Sequence, residues 1–204
     1  MTVFEYLFYP SLNLRGMILS LLFSTAIPLL LSLYYEKRYP LQTGEKLYAV
    51  AIAWVFMVVG TLIAKGPIPL PVWSLLAYHF VVDMKYMELP NGVTAGIAVL
   101  SVFSRFPDWL EQGFWTSGPV TALVVFLFMM LVAFLGPLGG GDIKMMTALG
   151  LYFSVWEIPS LLFYGSLIGT IKGLYLIFVK RRSKSSPFPF GPSLILGALV
   201  TICT

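Results

Sequence analysis

The sequence predicts an all-α polytopic membrane protein: a bundle of about eight transmembrane or partly spanning helices. Three observations carry that prediction. The 204 residues are 58% hydrophobic and only 11% charged, with mean hydropathy +0.88. A soluble globule of this size must turn part of its surface to water and could not hide so much apolar area. Apolar runs of spanning length recur along the chain, and the basic residues gather on one side of them.

A spanning helix needs roughly 20 apolar residues, with about 17 as a lower limit. Residues 16–35, 47–64 and 68–84 reach that length, as do 118–138 and 159–179. Three further runs, 92–103, 143–155 and 190–204, are shorter; segments of that size tilt, thin the bilayer or dip partway. The first run does not read as a cleaved signal peptide, because Glu5 precedes Arg15 and further spans follow. Alternation of the eight segments puts Lys37, Arg38, Lys46, Lys85, Lys144, Lys180, Arg181, Arg182 and Lys184 on one side, and Arg15, Lys65 and Arg105 on the other. Nine against three makes the first side cytoplasmic and leaves both chain ends outside. Gly165, Gly169 and Gly173 recur every four residues, as do Gly92 and Gly96, a spacing that lets helix backbones approach closely.

The same composition excludes other classes. Basic residues lie at span edges and form no aromatic-laced patch, so no nucleic-acid partner is expected. Cys203 is the only cysteine, which rules out an intrachain disulfide or a CxxC zinc site. Neither a metal nor a cofactor is expected; the lipid bilayer is.

Two acidic residues sit where an apolar run meets the basic side. Asp83 closes the third run in "AYHFVVDMKYMELPNG", and Asp142 opens the sixth in "LGGGDIKMM". Singly, each reads as an interface residue paired with Lys85 or Lys144. Together they face the same side, so folding can join them across 59 positions. Neighbouring carboxylates share a proton and titrate as a pair. One can then take a proton from water while its protonated partner polarises a peptide carbonyl. Gly139, Gly140 and Gly141 can adopt positive φ without a Cβ penalty, and they leave room for a passing backbone. The helix that begins after them is expected to hold a carboxylate charged at its N-terminal amides. His79 precedes Asp83 by one turn and reads first as an interhelical contact. Lys172, inside the seventh run, reads as a snorkelling lysine outside the site.

"GGGDIK" with "DMKYMELPN" about sixty residues earlier resembles the type IV prepilin peptidases, GxGD aspartyl proteases of pilus assembly. Asp83, Lys85, Leu89, Pro90 and Asn91 match the first family motif, and Gly139, Gly141, Asp142 and Lys144 the second. "PFPFGPSLILGA", residues 187–198, is similar to a segment that begins a late helix in these enzymes. The match runs from about Leu75 onward, whereas residues 1–70 resemble the family only in being hydrophobic. The resemblance implies the GxGD aspartyl protease fold in a single integral membrane domain, 1–204, with its catalytic core in 75–204. It implies Asp83 and Asp142 as catalytic residues, supported by Lys85, Pro90, Asn91, Gly139, Gly141 and Lys144.

The implied substrate is a prepilin or pseudopilin, cut between its short basic leader and its hydrophobic helix at the cytoplasmic face of the cell membrane. Many relatives carry two CxxC pairs in their first cytoplasmic loop, tied to N-methylation. Here that loop is "EKRYPLQTGEK", which implies proteolysis and leaves the methyltransferase activity in doubt. The signal peptide peptidase and presenilin group fits less well, since it would show Tyr-Asp and Gly-Leu-Gly-Asp. An ion-coupled transporter would carry its carboxylates near mid-membrane. A catalytically inactive scaffold is the third alternative.

Overall fold

In the computed structural model, residues 14–62, 70–112, 118–136, 138–183 and 186–204 are described. Lys65 and Lys184, used above for orientation, lie outside them, as do Glu5 and Pro137. Among the described residues the apolar runs form eight α-helices: α1 Leu14–Tyr34, α2 Thr43–Leu62, α3 Leu70–Tyr86, α4 Asn91–Gln112, α5 Gly118–Leu135, α6 Gly140–Gly150, α7 Ile158–Phe178 and α8 Gly191–Cys203. Among the described residues there is no strand.

α3 is the hub. Residues 70–79 and 81–83 are all buried, the pattern of a helix that is apolar on every face because it has neighbours on every face. It packs on α1, α2, α4 and α8. Outward from it, α4 packs on α6 and α6 on α5, while α8 packs on α7. The larger contacts therefore run α5–α6–α4–α3–α8–α7, with α5 and α7 at the two ends.

Among the described residues, three helices are long and apolar enough to cross a membrane: 43–60 in α2, Gly118–Leu135 and Ile158–Phe178. Their outer faces carry large exposed apolar side chains such as Leu127, Phe134, Phe163 and Phe178, as lipid contact requires. The protein is thus a polytopic helical membrane protein. Of the other two runs of spanning length, α3 has 17 residues, a length of about 25 Å. The other, α1, keeps an apolar helical stretch over 18–34.

The short runs fold less uniformly than the hydrophobicity suggested. α4 continues past its apolar stretch to Gln112, through Pro107. An Arg105–Asp108 ion pair of 2.8 Å spans that extension, and Arg105 Nε also donates to the Tyr152 carbonyl at 3.0 Å. α6 stops at Gly150. The chain then turns where Glu157 Oε2 accepts from both the N–H and the hydroxyl of Ser154, each at 2.8 Å. With 11 and 13 residues, α6 and α8 are only about 16 and 20 Å long, well short of the ~30 Å apolar core of a bilayer.

The four-residue glycine spacing has a mixed outcome. A Cβ on Gly197 of α8 would lie 2.5 Å from Gly165 N and 2.7 Å from Leu161 O, so α7 and α8 touch backbone to backbone. Gly169 receives the Phe190 ring, whereas nothing lies within 4 Å of a Cβ on Gly173. Only two of the three glycines on α7 make room for a neighbour. Gly197→Leu must therefore part α7 from α8 at a cost of ~3 kcal/mol or more, while Gly173→Leu leaves stability unchanged. Thermal unfolding in detergent checks this, with a clear drop in Tm expected for the first variant only.

Candidate active site

Asp83 lies in the last turn of α3. Met87, in left-handed backbone at φ 53°, ends the helix while its N–H still bonds the Asp83 carbonyl at 2.9 Å. The next residues join the two sequence motifs. Leu89 is buried, and a Cβ on Gly141 would stand 3.1 Å from the Leu89 Cβ. The Pro90 carbonyl opens α4 by accepting from the Val93 and Thr94 amides, each at 3.1 Å. Asn91 Oδ1 then accepts from Lys144 Nζ at 3.1 Å. The Leu-Pro-Asn turn thus fits against the glycine turn at two points, one apolar and one polar.

The glycines do not act as the sequence suggested. None of Gly139, Gly140 and Gly141 takes positive φ, and Gly139 sits at φ −69°, ψ 135°. Their value is the absence of side chains. A Cβ on Gly139 would meet Asp142 Oδ2 at 3.1 Å and one on Gly141 would meet Leu89, whereas Gly140 faces open space. That is the physical content of a G-x-G-D pattern: the two fixed glycines are crowded and the middle position is free.

The two carboxylates meet at a third element. The Gly191 N–H, at the start of α8, donates to Asp83 Oδ2 at 3.1 Å. A Cβ on Gly191 would stand 2.9 Å from that oxygen and 3.3 Å from Asp142 Oδ1. Those two distances bound the separation of the oxygens at about 6 Å, within the span over which a carboxyl pair can share one water. Both side chains are nearly buried, at 5% and 9% exposure. It is the N-terminus of α8, rather than that of α6, whose amide reaches a carboxylate, and the carboxylate it reaches is Asp83. Asp142 precedes the sixth apolar run and lies in a helix too short to span. Burial, and then the negative charge of Asp83, push its carboxyl up to about 7.

The pair sits between two spaces of opposite character. On one side is a polar cavity of about 400 Å³ that includes Tyr35, Arg38, Glu88, Asn91 and Lys144 in its walls. On the other is a groove of about 910 Å³, walled by Phe128 and Val132 of α5, Leu162 of α7, Leu194 of α8 and the Pro187–Phe188 strap. Asp83, Asp142, Gly139 and Met87 line both.

Other sequence candidates fall elsewhere. Lys85 does not reach the carboxylates: its Nζ bonds Glu45 Oε2 at 2.6 Å and the Pro40 carbonyl at 3.1 Å, tying α3 to the start of α2. His79 Nε2 lies 3.0 Å from Thr94 Oγ1, an α3–α4 contact. The Thr94 hydroxyl already donates to Pro90, which leaves the imidazole as donor. The structure adds Gly191 to the site, together with Arg38 and Tyr39 of the loop between α1 and α2. Tyr39 Oη donates to Glu88 Oε2 at 2.8 Å, and Arg38 lies 3.7 Å from the same oxygen. Lys172 had an available signal, being the only charged residue within α7. Among the described residues, no group of three or more His, Cys, Asp or Glu is placed to hold a metal ion.

Comparison with known proteins bears on these same residues. The chain is 30% identical over 129 residues to a prepilin leader peptidase/N-methyltransferase of Bacillus subtilis (strain 168), covering 62% of this chain and 51% of that protein. Proteins of the same name from Aeromonas hydrophila and Pseudomonas putida are 30% and 28% identical over 173 and 171 residues, each match covering 81% of this chain and 58% of the relative. The chain thus spans a little over half the length of the curated relatives it matches. No solved structure matches it. The sequence model of the type IV leader peptidase family matches residues 70–174, more than half of the chain and a stretch that includes both Asp83 and Asp142. The chain belongs to the type IV leader peptidase family.

Proposed function

We propose that the chain is a membrane-embedded aspartic endopeptidase that removes the short basic leader of type IV prepilin-like substrates, with Asp83 and Asp142 as its catalytic pair. The observation that carries this reading is the shared position of the two carboxylates beside Gly191 N–H. Family membership and the names of the relatives support it. The reading covers the peptidase activity alone.

The roles follow from the surroundings of each acid. Asp83 is the carboxylate that accepts an amide hydrogen bond, and burial, then the negative charge of Asp83, push the Asp142 carboxyl up to about 7; Asp83 is therefore assigned as the base and Asp142 as the acid. Water between them loses a proton to Asp83 and attacks the peptide carbon, while Asp142 donates to the carbonyl oxygen. The tetrahedral intermediate collapses as the proton held by Asp83 passes to the departing nitrogen, and Asp142 recovers its own. The helix of the substrate lies in the apolar groove and its leader in the polar cavity, where Glu88 offers a carboxylate to a basic residue. Anchoring the helix fixes the depth of the scissile bond, and such positioning supplies much of a catalytic effect. The carboxylates share their end of the bundle with Arg38, Lys85 and Lys144, and this basic excess supports reading that end as the cytoplasmic face of the cell membrane.

Three results test this. Asp83→Asn and Asp142→Asn keep size and lose the acid; each abolishes cleavage of a coexpressed prepilin, read as a mobility shift. Processing that survives either change overturns the reading in favour of a scaffold or transporter. Gly191→Ala puts a methyl group against both carboxylates and lowers kcat by about 100-fold, the cost of a misplacement of ~1 Å, with the protein still inserted. The working state needs Asp142 protonated, so kcat/KM falls as pH rises through about 7 and falls again in acid as Asp83 takes up a proton. A rate that keeps climbing well past neutrality contradicts the assignment.

A further inference from the structure

A lone lysine inside an apolar helix is costly unless its ammonium reaches water or a partner. Lys172 is the only charged residue of α7. Its Nζ donates to the Pro189 carbonyl at 3.0 Å and lies 3.3 Å from Met84 Sδ, so it bridges three elements: α7, the strap before α8, and the end of α3. Snorkelling would not require either contact.

The strap is a segment that needs such an anchor. Residues 186–190 have no regular structure, and Pro187 and Pro189 have no N–H with which to form any. α7 supplies two fixings from adjacent turns. The Phe190 ring packs on Gly169, where a Cβ would come within 2.5 Å of it, and Lys172 takes the Pro189 carbonyl. The residue after these two is Gly191, whose N–H is on Asp83. Met84, the other partner of Lys172, is the immediate neighbour of Asp83.

We propose that Lys172 is a positioning residue for the carboxylate pair: it holds the Pro187–Phe190 strap against the end of α3 and thereby keeps the Gly191 N–H directed at Asp83. The inference rests on the peptidase reading, but its test is separable from it. Lys172 touches no reacting group in this account. Its removal loosens the geometry of the pair without removing either acid or any wall of the polar cavity.

The test uses the full chain, purified in detergent, with a prepilin as substrate. Lys172→Met keeps length and loses the donor; kcat falls ~10- to 100-fold with KM within about threefold of the parent. Lys172→Arg keeps charge and donors, and kcat stays within about threefold of the parent. If the Met variant does not accumulate, Lys172→Gln, which keeps a donor without the charge, carries the test with an intermediate loss of kcat. A Met or Gln variant with the parent kcat, a loss confined to KM, or an Arg variant no better than Met overturns the proposal. A parent chain that cleaves no prepilin, or an Asp83→Asn variant that does, overturns the peptidase reading itself.

Discussion

The structure depends on one junction, where the C-terminal end of α3 meets the N-terminal ends of α6 and α8 with two carboxylates between them. Burying acidic side chains this far costs several kcal/mol unless the charge is shared, neutralised or hydrogen-bonded. The protein meets that cost locally. An amide of α8 bonds Asp83, and burial, then the negative charge of Asp83, push the Asp142 carboxyl up to about 7. Most other features near the junction are there because backbone must come close. Gly139, Gly141 and Gly191 each border a group that a Cβ would strike, and Gly197 lets α8 lie against α7 closely enough to bring Gly191 into place.

The short helices follow from the same constraint. α6 and α8 both begin at the level of the carboxylates, and each is too short to cross an apolar core of ~30 Å. The first amide of α8 reaches Asp83, Asp142 lies in the first turn of α6, and the polar cavity borders both acids. α5 and α7 are the long, lipid-facing helices at the ends of the contact chain, and the apolar groove between them ends at the acids. The two sides of the pair thus offer one polar and one apolar surrounding.

Much of this was legible in the sequence, because the signals were chemical. The runs of apolar residues gave the helical membrane architecture, and the two aspartates stood out at run edges on the basic side. What misled was local spacing treated as equivalent. Both aspartates are followed two positions later by lysine, but a residue at i+2 on a helix points about 200° away. Lys85 is consequently turned from Asp83 toward Glu45, while Lys144 meets Asn91 only because the Leu-Pro-Asn turn passes there. Lys172 and Gly191 were readable as residues but not as partners, since their meeting depends on how the strap returns over α3. Hydropathy could not show that α4 extends through Pro107, because its last turns are held by the Arg105–Asp108 pair.

The central claim is that the two acids are immediate neighbours in the membrane-inserted protein. Cysteine crosslinking tests it directly, because Cys203 is the only native thiol and Cys203→Ser supplies a thiol-free background. Asp83→Cys with Asp142→Cys is treated with a short thiol-specific crosslinker in intact membranes. Asn91→Cys with Lys144→Cys, whose parent side chains lie 3.1 Å apart, is the control. The account predicts an intramolecular link in both pairs. A control that links while the aspartate positions stay unlinked would contradict it.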